Sequence, residues 1–188
     1  MPIQSIQRQP VARLARELSI ILIGTILLTI SAKIVVPFYP VPMSIQSLVV
    51  LGLGLFLGPV RGTLIVGVYL LEGLAGLPVF AGTPPAPSGP IYFMGPTGGY
   101  LIGFACAAAV TGWIVQKLER FHPALRASIA VLFGTVALYC AGLFWLGNFV
   151  GYGQELMSAG LFPFMAGDLI KAAIAVFLYT ILDNRRSD

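Results

Sequence analysis

The sequence predicts an all-α integral membrane protein with six transmembrane helices and both termini in the cytoplasm, and three observations carry that prediction. Only 10% of the 188 residues are Asp, Glu, Lys or Arg while 57% are hydrophobic, against roughly 25% charged in an average soluble domain. Mean hydropathy is +0.92, too apolar for a single water-soluble core of this size. Finally, nine of the eleven basic residues fall on one face of the membrane when the chain is given six crossings, and such residues accumulate in cytoplasmic loops.

A bilayer core of about 30 Å is crossed by about 20 apolar residues in helix. The first span is read at residues 18–37, after Arg8, Arg13 and Arg16. Residues 1–17 form an amphipathic cytoplasmic segment on the inner leaflet. The apolar run is too long for a secretory signal and lacks a convincing small-residue cleavage site. Pro37, Pro40 and Pro42 interrupt the chain before a second, short span at residues 44–58. Pro59 and Arg61 separate it from the third, at residues 62–77. The Pro- and Gly-rich segment 78–96 is an extracytoplasmic link. A fourth span at residues 97–116 leads to Lys117, Arg120 and Arg126, the fifth runs over residues 127–150, and the sixth over 164–182, ahead of Arg185 and Arg186. No period-2 alternation suggests a barrel. The whole of 1–188 reads as one transmembrane domain.

Several chemistries are excluded. The net charge of +4 reflects positive-inside loops, and no basic stripe with interleaved aromatics suits nucleic acid. Cys106 and Cys140 lie inside spans without CxxC spacing and read as buried small hydrophobes. His122, the single histidine, reads as a solvated loop residue. No metal site and no Ser-His-Asp triad follow from this set. A GxxxxGK[ST] phosphate loop is missing, so the chain does not hydrolyse ATP by that route. An enzyme needs groups aligned for chemistry, yet the carboxylates at depth, Glu72 and Asp168, each lie near a lysine. A channel needs a polar path through the inner half, and none is present.

What remains is a set of polar residues at one depth. Lys33 falls near the outer end of the first span, Gln46 in the second, Glu72 in the third, and Asp168 with Lys171 in the sixth. A rise of about 1.5 Å per residue puts Asp168 about 6 Å and Lys171 about 10 Å below the start of their helix. Charges at such depth are costly and mark either structural pairing or function. Spaced i, i+3, Asp168 and Lys171 share a helical face. They form a mutual ion pair or a ligand site that offers an acceptor beside a donor, which suits an amide or urea. Lys33 and Glu72 likewise read as a structural pair or as part of a site. The outer links, with Phe38, Tyr39 and Pro40 in one and Ile91, Tyr92, Phe93 and Met94 in the other, are apolar although they face water. They rest on the protein's own surface or cover an outward-facing pocket.

Four stretches together resemble the BioY family. They are Pro40-Val41-Pro42-Met43-Ser44-Ile45-Gln46, Gly76-Leu77-Pro78-Val79-Phe80-Ala81-Gly82, Gly95-Pro96-Thr97-Gly98-Gly99-Tyr100-Leu101-Ile102-Gly103-Phe104, and Gly167-Asp168-Leu169-Ile170-Lys171. This family supplies the biotin-binding S component of energy-coupling-factor (ECF) transporters, multi-pass proteins of the bacterial inner or plasma membrane. The resemblance implies six helices, capture of biotin from outside, and the first and third links (the latter at 78–96) as lids. It implies that Asp168 and Lys171 hold the polar end of biotin, most plainly the ureido ring. Gln46, Tyr92, Gly95, Thr97, Gly98 and Tyr100 would line the rest, with Phe38, Glu72 and Lys33 at the site's edge, and Lys33 open as an alternative partner of the carboxylate.

Biotin is then a ligand, and no cofactor is implied. Partners implied by the family are membrane lipid, a transmembrane coupling subunit (T component) and two cytoplasmic ATPase subunits, against which the S component topples. Docking uses small residues on the first helix. The equivalents here are Gly24, Thr25 and Thr29, a degenerate version of the family's AxxxA. That departure keeps open the alternative of a solitary biotin transporter working without dedicated ATPase partners.

Overall fold

Because lipid offers no hydrogen bonds to a free backbone, a chain this apolar satisfies its peptide groups within helices. The computed structural model describes residues 4–37, 39–81 and 89–187. In order these form α1 (Gln4–Lys33), β1 (Val35–Val36), β2 (Met43–Ser44), α2 (Gln46–Leu74), α3 (Pro90–Met94), α4 (Gly98–Lys117), α5 (Pro123–Val150), α6 (Gln154–Gly160) and α7 (Phe162–Ser187). Among the described residues, α1, α2, α4, α5 and α7 are long and apolar enough to cross a membrane. The protein is an all-α integral membrane protein.

The helix α2 is bent back on itself. Gly58 has φ 78° and ψ 179°, a left-handed conformation that favours glycine, and Pro59 starts a new helical turn without needing an N–H donor. A Cβ placed on Gly62 would stand 2.9 Å from the Leu53 carbonyl oxygen, and Gln46 stands beside Tyr69. In a straight helix residues 46 and 69 would be about 34 Å apart. Both pairs are centred on Gly58, so residues 46–57 and 59–74 are two antiparallel arms.

Helix α4 sits between α2 and α5, α1 packs on α2, and α7 packs on α5 and α2. Between apolar helices in lipid the association comes from close packing, which small residues permit. A Cβ on Gly54 would lie 2.7 Å from the Ala108 carbonyl oxygen, and one on Gly103 would lie 2.7 Å from that of Leu138. The two helix pairs therefore meet backbone to backbone. Tyr69, Leu28, Ile65, Leu146, Val50 and Val66 fill the fully buried interior.

Some sequence expectations change. Cys106 and Cys140 are exposed on the outside of the bundle, where lipid is as apolar as a core, so a span position does not say which way a residue faces. The first span was expected to run to residue 37, but its helix ends at Lys33 and the chain then forms a two-stranded hairpin, Val35 opposite Ser44 and Val36 opposite Met43. His122 is more than a loop residue: its Nδ1 accepts from Ala124 N at 3.3 Å and caps α5 ahead of Pro123. The first helix runs unbroken from residue 4 through residue 17 into the span.

The charged residues sort by end. Arg61 pairs with Glu17 at 2.5 Å beside the Gly58 turn, and Arg126 pairs with Asp183 and donates to the Glu119 carbonyl oxygen. Its guanidinium also lies 5.3 Å from the Tyr179 ring centroid. The opposite end holds the β hairpin, α3 and the start of α7.

Candidate ligand site

At that opposite end lies a cavity that opens to solvent, its enclosed and open space together about 580 Å³. Its wall is mainly apolar, with Val41, Leu101, Phe104, Leu138 and Phe164 among its residues. Polar side chains in the wall include Ser44, Gln46, Ser47, Thr97, Asp168 and Lys171. Residues from the β hairpin, both sides of the α3 turn, and α2, α4, α5 and α7 all reach it.

A polar cluster is built around Asp168. Its Oδ1 accepts from Lys171 Nζ at 2.9 Å and from Ser47 Oγ at 3.2 Å. Lys171 Nζ also donates to Ser47 Oγ at 3.1 Å, closing a three-membered ring of contacts. The Tyr139 hydroxyl donates to Asp168 Oδ2. Lys171 is only 8% exposed, and a charge so placed is tolerable because it is paired and hydrogen-bonded. Gln46, 3% exposed, lines the same cavity and its side chain is in hydrogen-bonding contact with Tyr69.

The cover is aromatic. Phe80 stacks on Tyr92 with ring centroids 5.1 Å apart, and meets Tyr69 edge-on at 5.5 Å. Burial pushes the Tyr92 phenol up, partly offset by its hydrogen bond with Thr97, so it stays a neutral donor. Tyr100 donates to the Gly160 carbonyl oxygen at 2.7 Å and tethers α4 to the end of α6.

Of the residues singled out from sequence, Gln46, Tyr92, Thr97, Tyr100, Asp168 and Lys171 line this cavity together. Others stand elsewhere. Gly95 and Gly98 do not line it but seat Trp145, whose indole N–H donates to the Gly95 carbonyl oxygen at 2.9 Å. Lys33 donates to the Phe80 carbonyl oxygen at 2.7 Å, and Lys33 and Glu72 are not paired with one another. Glu72 lies outside the cavity wall, three residues on from Tyr69. Phe38 falls outside the described residues, as do residues 82–88 of the third link. Ser47, Tyr139 and Phe164 were missed. Ser47 and Tyr139 are common residue types in apolar spans, and only their contact with Asp168 distinguishes them.

The first-helix residues considered for docking turn inward. Gly24 packs against Ile65, and Thr25 is 2% exposed with its hydroxyl donating to the Leu22 carbonyl oxygen. Thr29 is half-buried. The outward face of α1 instead carries Leu22, Ile23, Ile26, Leu27 and Ile30. Small residues here serve the chain's own α1–α2 contact, a use that spacing alone does not separate from partner docking.

A multi-pass helical bundle with a mainly apolar cavity and a cluster of hydrogen-bonded polar side chains in its wall defines a membrane-embedded small-molecule-binding protein. Comparison with known proteins narrows this. The BioY family profile matches residues 4–188, and the chain belongs to the BioY family. It is 38% identical to the biotin transporter BioY of Thermotoga maritima, over 83% of this chain and 89% of that one. It is 35% identical to the probable biotin transporter BioY of Pyrococcus horikoshii, over 87% and 94%. A crystal structure of the S-component for biotin from an ECF-type ABC transporter superposes with a TM-score of 0.78 at 29% identity, covering 92% of this chain and 93% of that one.

Proposed function

We propose that this protein is the biotin-capturing S component of an ECF-type transporter, binding biotin in the cavity beneath Tyr92 and delivering it towards the cytoplasm. It is a transporter subunit and not an enzyme. The observation that carries the reading is the ring of Asp168, Lys171 and Ser47 with the buried Gln46 amide in the wall of the same cavity. Together these offer a carboxylate acceptor, an ammonium donor and an amide donor at one end of an apolar cavity. A ureido ring presents two N–H donors and one carbonyl oxygen, and a saturated bicycle with an alkyl chain suits the apolar remainder.

The same reading assigns six spans, with α2 counted as two. The reversal at Gly58 supports this, and so does the gathering of Arg61 and Arg126 at the end away from the cavity. Both ends of the chain then lie on the cytoplasmic side of a bacterial plasma membrane and the cavity opens outward. Energy comes from a T component and ATPase subunits. A second reading, transport without dedicated ATPases, draws on the inward turn of Gly24 and Thr25, the residues that stand in for the family's small-residue motif.

Titration calorimetry on the purified protein tests the binding reading. Stoichiometric biotin binding without ATP is expected; binding of thiamine or riboflavin with no biotin heat would overturn it. Proteoliposome uptake with and without the ATPase module separates the two modes of transport.

A further inference from the structure

Asp168 and Lys171 are adjacent on one helix, and left to themselves they would close into a pair with little capacity left for a ligand. The surroundings prevent this. Ionised Asp168 has about four lone-pair sites and Lys171 has three N–H donors. Oδ1 takes Lys171 and Ser47, and Oδ2 takes Tyr139. Lys171 spends one donor on Asp168 and one on Ser47. The frame therefore leaves one Oδ2 lone pair and one ammonium N–H uncommitted in the wall of the cavity.

Tyr139 is the member that comes from outside the ring. It stands on α5, across from α7, and its ring is held edge-on by Tyr100 with centroids 6.3 Å apart. It donates to Oδ2, whereas the hydrogen bond from Lys171 goes to Oδ1.

We propose that Tyr139 is a positioning residue of the ligand site, acting through Asp168: its hydroxyl fixes the carboxylate so that Asp168 and Lys171 each keep one hydrogen-bonding valence for the ligand. The inference rests on the capture reading given above and deepens it by assigning a residue outside the Asp168–Lys171 helix to ligand affinity.

The test is a double-mutant cycle on the full chain, with biotin binding measured by equilibrium dialysis. Tyr139→Phe keeps the ring packing and removes only the donor, and it is expected to weaken binding about tenfold or more, as for a hydrogen bond to a charged group. In an Asp168→Asn background the same change is expected to cost less than about twofold, because the group it acts through has been altered. An equal loss in both backgrounds overturns the proposal in favour of direct ligand contact or a structural role. Parent-like binding by Tyr139→Phe overturns it too, while leaving the capture reading intact. Failure of the parent itself to bind biotin removes the capture reading instead.

A second readout does not depend on residual affinity in the double variant. The Asp168 carboxylate stretch, isolated by infrared difference against Asp168→Asn, is expected to shift in Tyr139→Phe when one strong donor is lost. An unchanged band overturns the proposal. Thermal unfolding without ligand, expected to be close to the parent's, confirms that the comparison is between folded proteins.

Discussion

The indole N–H of Trp145 donates to the Gly95 carbonyl oxygen at 2.9 Å, which ties the turn between α3 and α4 to the far end of α5. Gly98 and Gly99 leave the room the indole needs. The glycines of this stretch thus act one step away from the cavity, by fixing the segment that carries Tyr92 and Thr97 to a long helix.

This contact makes Trp145 a reporter. The other tryptophan, Trp113, is 57% exposed on the outside of the bundle. Biotin is expected to change the emission of Trp113→Phe protein, in which Trp145 remains, and to leave that of Trp145→Phe protein nearly unchanged. Loss of the indole donor is expected to weaken binding by about 0.5–1.5 kcal/mol, the usual worth of a neutral hydrogen bond. Fluorescence titration checks both.

The Asp168–Lys171 pair admits a purely structural explanation, and substitution separates it from ligand binding. Asp168→Asn and Lys171→Met are each expected to weaken biotin binding by about 1.5–3 kcal/mol, and the double change is not expected to restore it. A pair that only neutralises itself behaves differently, because removing both partners of a buried ion pair is often close to neutral. Calorimetry on folded single and double variants decides; a double variant binding like the parent would move the site elsewhere.

Lys33 was a candidate partner for the ligand's carboxylate, but its ammonium goes to the Phe80 carbonyl oxygen. Lys33→Met is therefore expected to weaken binding less than Lys171→Met does. Amide exchange around Phe80 and Tyr92 is expected to quicken, because the aromatic stack loses a tether. Hydrogen exchange with and without biotin reads both effects, and a loss as large as that of Lys171→Met would return Lys33 to the ligand.

The transmembrane class and the Asp168, Lys171 and Gln46 cluster were legible in the sequence because charges in lipid are rare enough to stand out individually. The chain reversal was half-legible: Pro59 marked a break, but a positive φ at Gly58 is a property of the folded backbone. Tyr139 and Ser47 carried no such signal. A serine hydroxyl can bond its own helix backbone and a tyrosine is largely apolar, so neither stands out in a span, and their partnership with Asp168 emerges only from the packing of α5 and α2 against α7. Gly24 and Thr25 pack inward in this chain, and a small-residue face reads the same in sequence whether it meets a partner or its own chain.

Arg126 was read as one of several loop cations, yet its side chain is 12% exposed and that of Asp183 21%. Its guanidinium bonds Asp183, donates to the Glu119 carbonyl oxygen and stacks against Tyr179, whose ring in turn meets Phe56 with centroids 5.6 Å apart. One side chain thereby joins α2, α5, α7 and the link after α4 at the end away from the cavity. Arg126→Met removes the guanidinium from a partly buried carboxylate, and is expected to destabilise the protein by about 3 kcal/mol, at the lower edge of the cost of breaking a buried pair. Asp183→Asn is expected to destabilise as well, since it removes the other partner of the same ion pair. Arg126→Lys keeps the charge but not the fork that reaches two acceptors, so an intermediate loss is expected. Biotin affinity in all three is expected to stay within about threefold of the parent, because the altered contacts lie at the other end of the bundle and distant sites are nearly additive. Thermal unfolding in detergent measures the first set of outcomes and calorimetry the second. A large fall in affinity without a fall in stability would mean that the two ends of the bundle are coupled, contrary to this assignment.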